Sequence, residues 1–391
     1  MAFGQMRTVS GCMEAYLDNS ATTRPCEAAI SAMTDCMREG FYNPSSVYRP
    51  AVEAMRQVRD VRQKLLAALH AQEGDAIFTS GGTEANNLAI LGSVERMRGR
   101  QLVAVSAVEH PSVMEAFRRL EKSGHEVRVL GVNQQGELDY EALERALQDG
   151  ASLVSCMQVN NETGALLDAE RLHRVVNGRA LIHVDGVQGF LRVPFDMKWA
   201  DLYTLSGHKI HGPKGIGALV LKAGVRLSPR QIGGGQEGNL RSGTENTPGI
   251  AGLGAAIGAL TENGFAWRDA LMEKKLRLID LCRERVPEVC VNGPDPCHAA
   301  PHIVNLRFPG VRGEVMLHAL EAEGVYVSTG SACSSKKLKV SGVLTAMGIA
   351  PNVAEWALRF SLSPNTTMEE IEYAAEAVGK CYNLLKRFQR R

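Results

Sequence analysis

The sequence lacks an excess of charge of either sign. Forty-four lysines and arginines (44) stand against 43 aspartates and glutamates, for a net charge of +1. Nothing electrostatic draws such a chain to nucleic acid or to a membrane surface. No apolar run approaches the ~18 residues of a membrane span, and residues 1–12 contain no apolar core of signal-peptide type. Met1, Met6 and Met13 are each usable starts. The cysteines number nine, an odd count with no Cys-x-x-Cys pair. This argues against a disulfide framework or a zinc site, so no metal is expected. A reducing, cytoplasmic setting fits that usage. Internal repeats and low-complexity tracts are also missing. The basic run Lys386-Arg387-Phe388-Gln389-Arg390-Arg391 reads as a solvated helix end.

What is present is alternation. At 391 residues the chain is long enough for two domains. Short apolar runs at 76–79, 102–106, 127–130, 153–157, 181–184, 202–205 and 217–221 read as buried strands. Helical patterns such as 140–147 lie between many of them. That order implies crossover units and a mainly parallel sheet. A break falls near 261–264, and beyond it the pattern is that of a smaller α+β unit. Helices are expected at 267–285, 314–322 and 368–385, and strands at 302–308, 325–328 and 357–361.

Ligands of parallel sheets sit at the carboxyl ends of the strands, and the chemistry-bearing residues fall there. Lys209, in Ser206-Gly207-His208-Lys209, follows one strand, and Asp185, with Gln188 just beyond it, ends another 24 residues earlier. A lysine able to form a Schiff base and a carboxylate able to pair with a pyridinium nitrogen are what pyridoxal 5'-phosphate requires of its protein. Ser80-Gly81-Gly82-Thr83-Glu84-Ala85-Asn86-Asn87 joins a strand to a helix. Its glycines, the helix-end N–H groups and the Thr83 hydroxyl can hold a phosphate, although an ordinary Gly-Gly turn with a Thr cap has the same look. Ser206 and His208 offer two more phosphate donors. His110, in Val108-Glu109-His110-Pro111, could stack on a cofactor ring and relay protons, or be a plain loop histidine. Asn160 and Asn161 offer uncharged donors or are turn residues. Arg359 sits among apolar neighbours and needs a partner. A substrate carboxylate held by its fork or a structural salt bridge would each serve. Cys333, in Ser328-Thr329-Gly330-Ser331-Ala332-Cys333, lies in a loop of small residues, with Lys336, Lys337 and Lys339 near enough in sequence to lower a thiol pKa.

These motifs together resemble the group I cysteine desulfurases, the NifS/IscS-like branch of the fold-type I pyridoxal-phosphate enzymes in the class V aminotransferase family. The likeness runs from Tyr16-Leu17-Asp18-Asn19-Ser20-Ala21-Thr22-Thr23 to Thr366-Thr367-Met368-Glu369-Glu370-Ile371. It is most specific at 80–87, 206–209, Arg241-Ser242-Gly243-Thr244-Glu245-Asn246 and 328–335. The resemblance implies an α/β fold with a large cofactor-binding domain, 16–262, around a mainly parallel seven-stranded sheet. It implies a smaller α+β domain from 1–15 and 263–391 carrying the cysteine loop. By resemblance, Lys209 would bind the cofactor, Asp185 its pyridine nitrogen and Gln188 its ring oxygen. His110 would stack on the ring and move protons. Gly82, Thr83, Ser206 and His208 would hold the phosphate, with Thr244 from the second subunit of a homodimer. Asn161 and Arg359 would hold the carboxylate of L-cysteine, and Cys333 would take its sulfur for an acceptor, an iron–sulfur scaffold or a tRNA-thiolation enzyme. The sequence departs from the family pattern at Tyr42 and Tyr48, at Gly238 and at Gly342. A selenocysteine lyase or an aminotransferase on the same fold is the enzymatic alternative. An interaction protein that kept the fold without catalysis is the non-enzymatic one.

Overall fold

The structure is a computed structural model that describes residues 13–330 and 340–389. In chain order the first part contains β1 (Ala15–Tyr16), α1 (Glu27–Arg38), α2 (Arg49–Ala68), β2 (Asp75–Thr79), α3 (Gly82–Arg96), β3 (Leu102–Ser106), α4 (Pro111–Lys122), β4 (Glu126–Leu130), α5 (Tyr140–Gln148), β5 (Ala151–Met157), α6 (Ala169–Val176), β6 (Leu181–Asp185), β7 (Leu202–Ser206), β8 (Gly217–Leu221) and α7 (Thr247–Thr261). Seven strands form one sheet in the order β2-β8-β7-β6-β5-β3-β4. All neighbours pair in parallel except β8, which runs antiparallel to both β7 and β2. The strand-like runs read from sequence are these seven. Their unbroken apolar character has a simple cause, since helices cover both faces of the central strands. The residues of β7 and β8 are buried throughout.

Strand order explains where a ligand must sit. After β4 the chain returns past β3 to place β5 on its other side, so the crossovers diverge between β3 and β5. Such a switch point leaves a crevice at the carboxyl ends of the strands. The loops carrying Glu109-His110 and Asn160-Asn161 leave β3 and β5 at that point.

The second part holds α8 (Trp267–Arg285), β9 (Cys290–Val291), β10 (Ile303–Arg307), α9 (Gly313–Ala322), β11 (Val325–Tyr326), α10 (Gly342–Ala346), α11 (Pro351–Ala354), β12 (Ala357–Ser361) and α12 (Met368–Gln389). Its antiparallel sheet, ordered β12-β10-β9, packs under α8 and α12. A core of its own forms there from Leu278, Phe308, Leu320, Phe360 and Val378. Each such apolar side chain contributes roughly 1.5–3 kcal/mol on burial. The strand expected at 325–328 is shorter in the structure. Only Val325 and Tyr326 join β11, while Ser328 exchanges backbone hydrogen bonds with Arg359 as an isolated bridge.

Residues 13–23 belong to both parts. Ala15 and Tyr16 pair with β11, and Asp18 bridges to Ser361 of β12. The Thr23 N–H then donates to the His208 carbonyl in the large sheet's loops (2.9 Å). Trp267 packs against both apolar cores and ties them through its indole N–H, which donates to the Leu260 carbonyl at 3.1 Å.

Candidate active site

The phosphate-type loop is built first by packing. Gly81 has φ +152°, a conformation open to glycine, and Gly82 begins α3. A Cβ on Gly82 would come within 2.7 Å of Val187 Cγ2, and one on Gly217 within 2.7 Å of the Gly81 Cα. The start of β8 therefore has to be bare for the loop to pass over it. The result is an exposed Thr83 in the first turn of α3, with the helix N-terminus beside Ser206 of β7. First-turn N–H groups and the positive end of the helix dipole suit an anion. His208 contacts the Thr22 hydroxyl through Nδ1 at 3.1 Å, and burial, then the charges of Lys209, Lys214 and Arg192, push its pKa down to about 4.

Asp185 ends β6, buried, with both carboxylate oxygens engaged. Oδ1 accepts from the Val187 N–H (3.0 Å) and Oδ2 from Asn86 Nδ2 (2.8 Å). Asn86 also donates to Ser112 Oγ (2.9 Å), and Ser112 Oγ lies 2.8 Å from His110 Nδ1. His110 caps α4 by accepting the Ser112 N–H at 3.1 Å. Since Nδ1 accepts, the neutral ring carries its proton on Nε2. Burial lowers the His110 pKa, Asp185 partly offsets this and Lys209 adds to it. A neutral imidazole thus stands near both Asp185 and Lys209. Behind it Glu109, fully buried, accepts from the Met157 N–H (2.7 Å). Burial and the neighbouring Asp185 charge hold its carboxyl well above the usual range.

Lys209 follows β7 and donates through Nζ to the carbonyls of Ser20 and Ala21, each at 2.7 Å. Gln188 Nε2 donates to the same Ser20 carbonyl at 2.8 Å. The lysine and the glutamine are therefore gathered over one stretch of chain, 18–23.

Arg359, on β12, is 4% exposed. It donates to Asp18 Oδ1 (2.7 Å) and to the Asn161 carbonyl (3.0 Å), so an on-chain carboxylate already satisfies part of its fork. Its Nε is buried without a hydrogen-bond partner, as are Ser20 Oγ and Asn86 Oδ1 at the same site. Asn160 is structural: its Oδ1 accepts the N–H groups of Glu162 and Thr163 and its Nδ2 donates to Val108. Next to it Glu162 accepts from Ser341 Oγ (2.5 Å), and a Cβ on Gly330 would fall 2.9 Å from its Oε2. Burial raises the Glu162 pKa. The Glu162 carboxyl thus holds Ser341 and leaves room for no side chain at 330. Cys333, Lys336, Lys337 and Lys339 lie outside the described residues. Thr244 is exposed within one chain, in a loop fixed by Arg241 Nε on Glu84 Oε1 at 2.9 Å.

Sequence reading thus named Lys209, Asp185, Gln188, His110, Gly82, Thr83, Ser206, His208, Asn161 and Arg359. In the structure Lys209 and Gln188 share the Ser20 carbonyl, Asp185 and His110 are linked through Asn86 and Ser112, Gly82 lies against Ser206, and Arg359 donates to the Asn161 carbonyl. It did not give roles to Asn86, Ser112, Asp18, Glu162 or Arg192. Asn86, Glu162 and Asp18 stand inside the motifs 80–87, 160–164 and 16–23, so position beside a functional residue was the available signal.

A helix N-terminus suited to an anion, a buried carboxylate and a lysine amine define a site for a phosphorylated pyridinium aldehyde. The chain belongs to the aminotransferase class-V family, whose model matches residues 15–374. It is 38% identical over 378 residues to a cysteine desulfurase of Nostoc sp., covering 95% of this chain and 93% of that one. It is 37% identical over 382 residues to cysteine desulfurase IscS of Dictyoglomus turgidum, covering 95% of each. Among solved structures a NifS-like protein superposes with a TM-score of 0.88 at 30% identity, over 95% of this chain and 100% of that one. The fold is accordingly the α/β fold of type I pyridoxal-phosphate enzymes, with the seven-stranded sheet expected from sequence, and the cofactor is pyridoxal 5'-phosphate.

Proposed function

We propose that this chain is a cysteine desulfurase that converts L-cysteine to L-alanine and leaves the sulfur as a persulfide on Cys333. One observation carries the reading: Asp185, Lys209 and a neutral His110 meet above the helix that opens with Gly82-Thr83, within a chain whose relatives bear that name. When bound, the cofactor supplies an electron sink for charge developing at the substrate α-carbon. Asp185, anchored by Asn86 and Val187, would hold the pyridine nitrogen, and Gln188 would donate to the ring oxygen. Gly82, Thr83, Ser206 and His208 would hold the phosphate. Lys209 Nζ would take the proton from the substrate α-carbon, and the His110 imidazole, protonated on Nε2, would return one. Arg359 and Asn161 hold the substrate carboxylate. For this Arg359 keeps Asp18, itself partly exposed, as a second partner, which orients the fork. The Cys333 thiolate attacks the substrate sulfur, the C–S bond breaks toward the carbon, and alanine takes up the proton. Cysteine and a thiol give alanine and a persulfide, with atoms and electrons balanced.

The working unit is a homodimer. Exposed apolar side chains cluster at Phe41, Val47, Tyr48 and Ile232, the last 88% exposed, and a second copy would cover them while bringing Thr244 to the partner's phosphate. The large unit spans 16–262 and the small one 1–15 with 263–391. The acceptor is an iron–sulfur scaffold or a tRNA-thiolation enzyme, in the cytoplasm. No helix among the described residues is long and apolar enough to cross a membrane.

The test is product analysis with L-cysteine. Wild type should release alanine and carry one extra sulfur on Cys333 by mass spectrometry. Cys333→Ser should keep its yellow cofactor and its colour change with L-cysteine yet lose alanine release by orders of magnitude. Lys209→Ala should lose cofactor that borohydride can fix to the chain. A keto acid in place of alanine, or the sulfur found on Cys297, would refute the assignment.

A further inference from the structure

Among the described residues Arg192 is a buried cation without an acid for a partner. It is 5% exposed, and burial alone pushes its pKa down to about 9. Its guanidinium donates to Gln188 Oε1 (2.8 Å) and to the backbone carbonyl of Lys209. Both partners are neutral. A charge taken out of water for neutral partners is expensive, so the position calls for a purpose that an apolar residue would not serve.

Donor chemistry supplies it. A guanidinium has five N–H donors and no acceptor, so the atom of the Gln188 amide that faces it has to be the oxygen. The amide nitrogen is thereby turned the other way, toward Ser20, where Lys209 Nζ also donates. Without Arg192 only the single hydrogen bond to the Ser20 carbonyl would hold the amide in that sense. The second donation, to the Lys209 carbonyl, ties the lysine's backbone to the segment leaving β6. Both strand ends that grip the cofactor are then held by one side chain.

We infer that Arg192 is a positioning residue that fixes Gln188 as a hydrogen-bond donor toward the cofactor's ring oxygen and locks Lys209 to the Asp185 segment. The inference rests on the reading of Gln188 as the ring-oxygen donor. Arg is suited to the task where Lys is not, because a planar fork serves two acceptors at once and an ammonium is a point donor.

The test is a double-mutant cycle read on the visible absorbance of the purified holoenzyme, without substrate. The measured quantity is the pH midpoint at which the bound cofactor's band interconverts. Asp185, His110, His208 and Lys209 face the cofactor and stay in all four proteins; His211 and His302, beside Arg192, also stay. A donor lost from an ionised ring oxygen makes that oxygen more basic. Gln188→Ala should therefore raise the midpoint by about one pH unit. Arg192→Met should raise it similarly, and the double variant should match Gln188→Ala alone, since Arg192 acts through Gln188. Additive shifts would mean that Arg192 acts only as a charge, and would overturn the inference. An unshifted Arg192→Met beside a shifted Gln188→Ala would overturn it too, leaving Gln188 in its role. An unshifted Gln188→Ala would remove the reading of Gln188 and the inference with it. Should Arg192→Met lose its far-ultraviolet circular dichroism signal, Arg192→Lys takes its place in the cycle. A smaller shift that vanishes in the Gln188→Ala background supports the inference, and no shift overturns it.

Discussion

His183 shows how a single buried residue sets the response of this protein to pH. It lies in the middle of β6, fully buried, with Nδ1 2.7 Å from Ser155 Oγ on β5 and Nε2 3.1 Å from Thr204 Oγ1 on β7. Burial pushes its pKa from 6.5 down to about 4, against the opposing pull of Asp185. The unfolded chain therefore binds a proton that the folded chain refuses. The His183 contribution to stability rises with pH between about 4 and 6.5 and levels off above. Glu109 and Glu162, whose carboxyls burial holds high, act in the opposite sense. The useful measurement is thus a difference. Between those pH values His183→Gln should lose stability more slowly than wild type as pH falls, by on the order of 2–3 kcal/mol across the window in denaturant titrations. Parallel curves for the two proteins would show that burial does not depress the His183 pKa in the folded state.

At the scale of elements, the meeting of β8 with the loop before α3 is the tightest constraint. A Cβ on Gly217 would lie 2.6 Å from the Leu205 carbonyl oxygen and 2.7 Å from Gly81 Cα, all backbone atoms that cannot step aside. Gly217→Ala should cost about 1–3 kcal/mol and, by lifting the Gly81-Gly82 turn, weaken cofactor retention measured as absorbance per chain after dialysis. Gly215→Ala is the control. That residue has φ +80° with nothing within 4 Å, so it should cost only the ~1–2 kcal/mol of a left-handed backbone and leave retention unchanged. Most of the strands that were legible in the sequence are buried on both faces; β4, at the sheet edge with Val129 exposed, is the exception. The seven strands of the large sheet announce themselves as apolar runs, and Lys209 and Asp185 follow because they end two of them. Two-residue strands such as β1, β9 and β11 have no period to read, and long-range pairing alone makes them strands. Arg192 sits in Phe190-Leu191-Arg192-Val193-Pro194, where nothing local tells a buried arginine from a solvated one; only the approach of the Lys209 carbonyl decides it. Arg359 was legible as needing a partner, but Asp18, 341 residues away in sequence, could come only from the fold.

At the scale of the whole molecule, the open question is where Thr244 works. A mixed dimer of Lys209→Ala with Thr244→Glu answers it. If Thr244 serves the partner's phosphate, one site collects both defects and the other none, so mixed dimers should recover about half of the wild-type activity per dimer. If each chain uses its own Thr244, both sites keep one defect and the mixed dimers stay as inactive as the parents.

The stretch 18–23 carries a consequence for biosynthesis. Its Ser20 and Ala21 carbonyls receive the Lys209 ammonium, while the Asn19 N–H and the Asp18 bridge lean on Ser361. A ribosome makes residues 18–23 well before residue 361. The floor of the site is thus synthesised early but secured late, after some 340 intervening residues have emerged. A growing chain can finish its large sheet long before it can close the ground beneath Lys209, so a nascent chain halted before residue 361 lacks the contacts that hold that floor.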